Sequence, residues 1–277
     1  MVVRFLSYVA LYAAIAIMLS IYMPDIVNVF ALVVGVCCVV IAARLSGRFE
    51  RRVYSVYGSL SWSSGLFLLF FLTYYAVYSG DVFVYILYLM FLLLGLGSIG
   101  VIGAKDYRAV LQNVSVKYIA LGVVFGVVTA WFAYAIPCSI APTVGFIGSA
   151  SIDPVTILIL MMFIVAIPEE FMGRIFAFHV GAVNLDLYSG AIASVVLGYA
   201  LHAITRYSNL MVLAVVTVVW ALITAFYAYT RNVTATVVYH TIYNVVVICS
   251  SIYGVLPVFY VTLPIVIGLA AYVVRGG

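Results

Sequence analysis

The sequence predicts an all-α protein, a polytopic transmembrane helix bundle of about ten spans with both termini on the cytoplasmic side. Three observations carry this expectation. Of 277 residues, 68% are hydrophobic and 7% charged, too few charges to cover a water-facing surface. Those charges gather in short clusters between long apolar runs, and the basic clusters recur on one side of the stack.

A helix rises 1.5 Å per residue, so about 20 apolar residues cross the roughly 30 Å hydrocarbon core. By that ruler the first half holds spans at Phe5–Met23, Ile26–Ala43, Val56–Tyr78, Val82–Ala104 and Tyr118–Ile136. The second half holds Val155–Phe178, Ser189–Thr205, Leu210–Tyr229, Val233–Tyr253 and Pro257–Val274. The first run has one basic residue before it and no small-residue exit, so it reads as a retained helix rather than a cleaved leader. Ser189–Thr205 is the shortest run and contains Gly190 and Gly198, which leaves a partly re-entrant segment open.

Cytoplasmic loops carry an excess of Lys and Arg. Arg44, Arg48, Arg51 and Arg52 share one loop, Lys105, Arg108 and Lys117 another, and Arg4, Arg231 and Arg275 fall on the same side, against Arg206 opposite. Asp25, Asp81 and Asp153 then mark outward-facing turns. A Pro-, Gly- and Ser-rich loop, Pro137–Pro154, separates residues 1–136, a set of N-terminal transmembrane helices, from 155–277, the motif-bearing core. No repeat relates the halves, which weighs against transporter folds built on inverted repeats. A net charge of +4, scattered along the chain, implies no nucleic-acid partner; the partner is membrane lipid. The four cysteines show neither a disulfide framework nor a CxxC pair and read as packing residues.

Charged groups in hydrocarbon are costly and are functional candidates by default. Six of the eight acidic residues lie in loops or at span ends, leaving Glu169 and Glu170 in IVAIPEEFMGRIFAF. Adjacent helical residues point about 100° apart, so these two carboxylates serve different directions. Glu170 and Arg174, four apart, share a face and suit an ion pair that locks the helix. Glu169 has no basic residue at that spacing and is the better candidate for proton transfer. Pro168 before it removes a backbone donor and loosens the preceding turn, a route for water.

Two of three histidines, His202 and His240, fall inside spans. His240 and Asn244 lie four apart in VVYHTIYNVVV and project together as two hydrogen-bond donors, an arrangement suited to a developing oxyanion. His179, at the cytoplasmic end of the Glu169 helix, reads as an interfacial or helix-terminal residue. By the same ruler Glu169 and His240 lie about 9 and 10 Å from the cytoplasmic boundary, whereas His202 lies about 20 Å from Ser189. Tilt, a late helix start or re-entrance of residues 180–190 would remove that mismatch.

In this order, Glu169-Glu170-Phe171-Met172-Gly173-Arg174 matches EExxxR, His202 closes a motif of the form FxxxH, and His240–Asn244 matches HxxxN. Together they resemble the CAAX prenyl endopeptidase and bacteriocin-processing family, the CPBP intramembrane proteases, over roughly residues 155–250. One departure is that Gly198 stands where the second motif usually has phenylalanine, with Tyr199 beside it. The resemblance implies a glutamic endopeptidase in which Glu169 and His202 activate water, His240 and Asn244 bind the oxyanion, and Glu170 and Arg174 support the site. It implies no metal and no cofactor, a peptide or prenylated-protein C-terminus as substrate, and a multi-pass location with the site opening toward the cytoplasm. Three other readings stay open. Glu169, His202 and His240 are also a two-His, one-carboxylate zinc set, although no HExxH supports it. The same groups would suit a proton relay in a transporter, and a non-catalytic scaffold would keep them for stability.

Overall fold

A computed structural model describes residues 26–47, 62–69, 93, 114–135, 153–204 and 210–275. Among these every regular element is helical. The expected span at 5–23 and all of 82–104 except residue 93 lie outside the described residues, as do most of 56–78, nearly all of the Pro137–Pro154 loop, and Arg4, Arg48, Arg51, Arg52, Lys105, Arg108 and Arg206.

The described helices are α1 Ile26–Ser46, α2 Val116–Ala135, α3 Pro154–Asn184, α4 Leu187–Ile204, α5 Leu210–Thr230, α6 Val233–Tyr253 and α7 Val255–Val274. Six contain a stretch long and apolar enough to cross a bilayer, and the apolar run of α4, Leu187–Ala203, is shorter. With its long apolar helices, the protein is an integral, multi-pass membrane protein. α4 is one continuous helix of 18 residues, and its start is fixed by Asp186, whose carboxylate accepts from the Ser189 amide at 2.8 Å and the Ser189 hydroxyl at 3.1 Å.

α3 departs most from expectation. Instead of stopping at Phe178 it runs 31 residues, to Asn184. Asp153 caps its start, accepting the amides of Val155 and Thr156 at 3.0 Å each, with Pro154 at the position where a missing N–H costs least. The Thr156 hydroxyl donates to the same carboxylate, and these bonds hold Asp153 below the usual aspartate range. Further on, the helix widens into π geometry over Met161–Ala166 and again over Phe171–Val180, with Ile167–Glu170 as α-helix between them. Pro168 cannot donate to the Ile164 carbonyl, and the Ile167 amide reaches back five residues to the Met162 carbonyl.

The chain forms two compact units. One comprises Met1–Gln112 and Pro168–Arg231, the other Asn113–Ile167 and Asn232–Gly277. In the first, α1 lies along α5 and α4, close enough that a Cβ on Gly35 would stand 2.8 Å from that of Ala221 and 3.1 Å from Val195. In the second, α2 packs on α6. A Cβ on Gly122 would stand 2.5 Å from the Ala235 carbonyl oxygen, and one on Gly126 2.7 Å from that of Tyr239, so both positions exclude side chains for close helix approach. The Thr129 and Tyr239 hydroxyls bond across the same contact at 2.7 Å. Ile157 and Met161 of α3 share an apolar cluster with Ile248 and Cys249 of α6. Within this unit α7 leaves Leu256, Tyr260, Val261 and Ile267 exposed, the surface expected of a lipid-facing helix.

Candidate active site

The two glutamates occupy the short α-helical stretch between the widened turns of α3. Both are enclosed, Glu169 at 3% exposure and Glu170 at 0%. Arg174, also fully buried, brings its Nε to 3.1 Å from Glu170 Oε2, so the expected ion pair forms on one helix face. Its Nη2 donates to the Trp220 carbonyl at 3.3 Å, and its guanidinium carbon lies 4.0 Å from the centre of the Trp220 ring. A buried guanidinium is thus met by a carboxylate, a carbonyl and an aromatic face, the combination that makes a charge tolerable away from water.

Trp220 is itself fixed. Its Nε1–H donates to the Ser194 carbonyl at 2.9 Å, and its carbonyl also accepts from the Thr224 hydroxyl at 2.9 Å. Because that hydroxyl proton is committed, Ser194 is the donor in the 3.2 Å Ser194–Thr224 contact. The indole fills space left by two glycines, Gly173 on α3 and Gly198 on α4; a Cβ on either would overlap it.

His202, near the end of α4, is half-buried, and its ring stands edge-on to Trp220 with centroids 5.6 Å apart and an interplanar angle of 72°. Its Nδ1 lies 2.7 Å from the Gly198 carbonyl. A carbonyl only accepts, so Nδ1 carries the proton in that bond, and in the uncharged ring the lone pair sits on Nε2. A base at the second motif therefore acts through Nε2.

The expected depth mismatch for His202 disappears with the longer α3. Glu170 lies 14 residues before Asn184 and His202 15 residues after Leu187, on the two arms of one tight turn. Measured from that turn the two motifs are level.

The third motif belongs to the second unit. Asn232 caps α6 through its side-chain oxygen, 2.9 Å from the Ala235 amide. His240 follows the Tyr239 position held against Gly126 and Thr129, and is buried at 5% exposure. Asn244, one helical turn further, is half-buried. Within neither unit do three His, Cys, Asp or Glu side chains of the described residues gather as metal ligands.

His179 corrects the reading of it as an interfacial residue. Because α3 continues past it, the ring is fully buried, with Nδ1 2.7 Å from the Tyr227 hydroxyl and Nε2 3.3 Å from Arg231 Nη2. The guanidinium only donates, so Nε2 accepts and Nδ1–H is directed at Tyr227. Arg231 ends α5 in the left-handed region, φ 50°, with its amide 2.6 Å from the Tyr227 carbonyl.

Residues 151–246 match the family model described as Type II CAAX prenyl endopeptidase Rce1-like. All three motifs fall inside that segment, about a third of the chain. Over that segment the chain is similar to the CAAX protease family. Comparisons with curated proteins and with solved structures gave no match. The matched model is one of endopeptidases, and the segment it matches lies within a chain of long apolar helices.

Trp220 is the residue that motif reasoning passes over, because a tryptophan in an apolar span looks like any packing residue. Its only trace in the sequence is the gap that Gly198 leaves in the second motif. Trp62 is similar: its Nε1–H donates to the Ala177 carbonyl at 3.1 Å, inside the second widened stretch of α3.

Proposed function

We propose that this protein is an intramembrane protease of the CAAX class that cleaves a peptide bond near the C-terminus of a prenylated, membrane-held substrate, using water activated by Glu169 and His202. The observation that carries the reading is the His202 bond to Gly198, which sets Nε2 as the ring's basic atom. Glu169 and Nε2 position one water and remove its proton as its oxygen adds to the scissile carbonyl carbon. Negative charge then develops on the carbonyl oxygen, where the donors of His240 and Asn244 stabilise it. Collapse of the tetrahedral species breaks the C–N bond, and the leaving amine takes the proton held by the Glu169–His202 pair. Glu170 and Arg174 touch no reacting atom in this scheme and hold α3 in place.

The reading draws on the order of the three motifs within the matched segment and on the enclosure of Glu169, which strengthens electrostatic effects at the site. Its test is cleavage of a prenylated peptide by purified protein, comparing wild type with Glu169→Ala. The site opens to the cytoplasmic side in this account, on the strength of the basic loops. A cysteine placed at position 48, in a background without native cysteines, should then label only from the cytoplasmic face; labelling from outside alone would reverse the orientation.

A further inference from the structure

We propose that Trp220 is a positioning residue for the base, and that it supplies from α5 the aromatic ring that the second motif of this chain lacks. The proposal rests on the reading of His202 as the base. Four contacts converge on one indole. Its ring meets the edge of His202 at 5.6 Å between centroids. Its face lies under the Arg174 guanidinium at 4.0 Å, so the same ring touches the first motif and the second. Its Nε1–H is anchored on the Ser194 carbonyl at 2.9 Å, one turn of α4 before Gly198. Gly198 leaves room for it and, through its carbonyl, holds the Nδ1 proton of His202.

The chemistry of these contacts gives Trp220 a defined task. A histidine bonded through one nitrogen to a carbonyl on its own helix still swings about its side-chain torsions, and an aromatic wall at the ring edge restricts that swing. Holding the ring keeps the Nδ1–H bond in line, and with it the lone pair on Nε2. A phenylalanine at position 198 would place its ring in the volume the indole now fills, so the two aromatic solutions exclude one another at this site.

The test uses full-length protein in nanodiscs, with histidine nitrogen NMR to read the His202 tautomer and ring dynamics beside prenylated-peptide cleavage. Trp220→Leu should lower kcat by at least about 10-fold with little change in KM, less than removal of the base itself. It should also displace the acid limb of the pH–rate profile and mix the His202 tautomers. Trp220→Phe, which keeps an aromatic wall, should stay within about 3-fold of wild type and preserve the tautomer. The proposal is overturned by a folded Trp220→Leu protein whose His202 signals, pH profile and kcat are those of wild type. If wild type cleaves no peptide, the base assignment is what fails, and the NMR comparison still decides whether Trp220 holds the ring. Should Trp220→Leu not fold, the exchange Gly198→Phe with Trp220→Ala decides. Recovery of a folded protein with the wild-type tautomer supports the proposal, and failure to recover either overturns it.

Discussion

The Arg174 guanidinium carbon lies 4.0 Å above the Trp220 ring while its Nη2 donates to the carbonyl of the same residue at 3.3 Å. One residue of α5 therefore meets both the face and the edge of a fully buried cation, with Glu170 at 3.1 Å completing its surroundings. That arrangement makes Arg174 a structural centre of the first unit, and several outcomes follow from it and from the site built around it.

Glu170→Ala should destabilise the protein strongly. It leaves Arg174 buried beside an aromatic ring without its carboxylate, a loss of about 3–5 kcal/mol. Replacing both partners by apolar residues of similar volume, Glu170→Leu with Arg174→Met, should recover much of the melting temperature because no buried charge remains. Thermal unfolding in detergent measures both. A single variant no less stable than the double would show that the pair is not what holds α3.

Much of this architecture was legible in the sequence, and where it was not the reason is physical. The bounds of α6 coincide with the expected Val233–Tyr253, because Asn232 and Gly254 bracket an uninterrupted apolar run. The expected span stops at Phe178 where the apolar run ends at His179; the burial of that histidine depends on Tyr227 and Arg231, partners 48 and 52 residues away that no local pattern reveals. The Glu170–Arg174 pair was readable from spacing on one helix. The tie from that pair to His202 through Trp220 was not, since periodicity within a helix does not say which neighbour it meets.

Asn244→Ala should lower kcat by about 100-fold or more while leaving the melting temperature close to wild type. The side chain is half-buried on α6, and in the proposed mechanism it is one of two oxyanion donors, so its removal should withdraw transition-state stabilisation without opening a core cavity. Peptide-cleavage kinetics with a parallel melting curve check it. An unchanged kcat would remove Asn244 from the oxyanion site.

The α3 cap should make stability sensitive to acid. Bonds from the Thr156 hydroxyl and the Thr156 and Val155 amides lower the Asp153 pKa in the folded protein. A depressed carboxylate contributes stability above its unfolded pKa and loses it as pH falls through the folded value. The stability difference between wild type and Asp153→Asn should therefore be constant near neutrality and shrink below about pH 4. Melting temperatures across pH 2–7 would test this, and a difference that grows on acidification would contradict the cap.

The most direct measurement of the central claim is cleavage of a prenylated peptide by purified protein after exhaustive metal removal, with Glu169→Ala beside wild type. Water activated by Glu169 and His202 predicts that metal-free wild type keeps its rate and that Glu169→Ala, still folded, loses it. Activity lost on chelation and restored by stoichiometric zinc would contradict the account and make Glu169, His202 and His240 metal ligands instead.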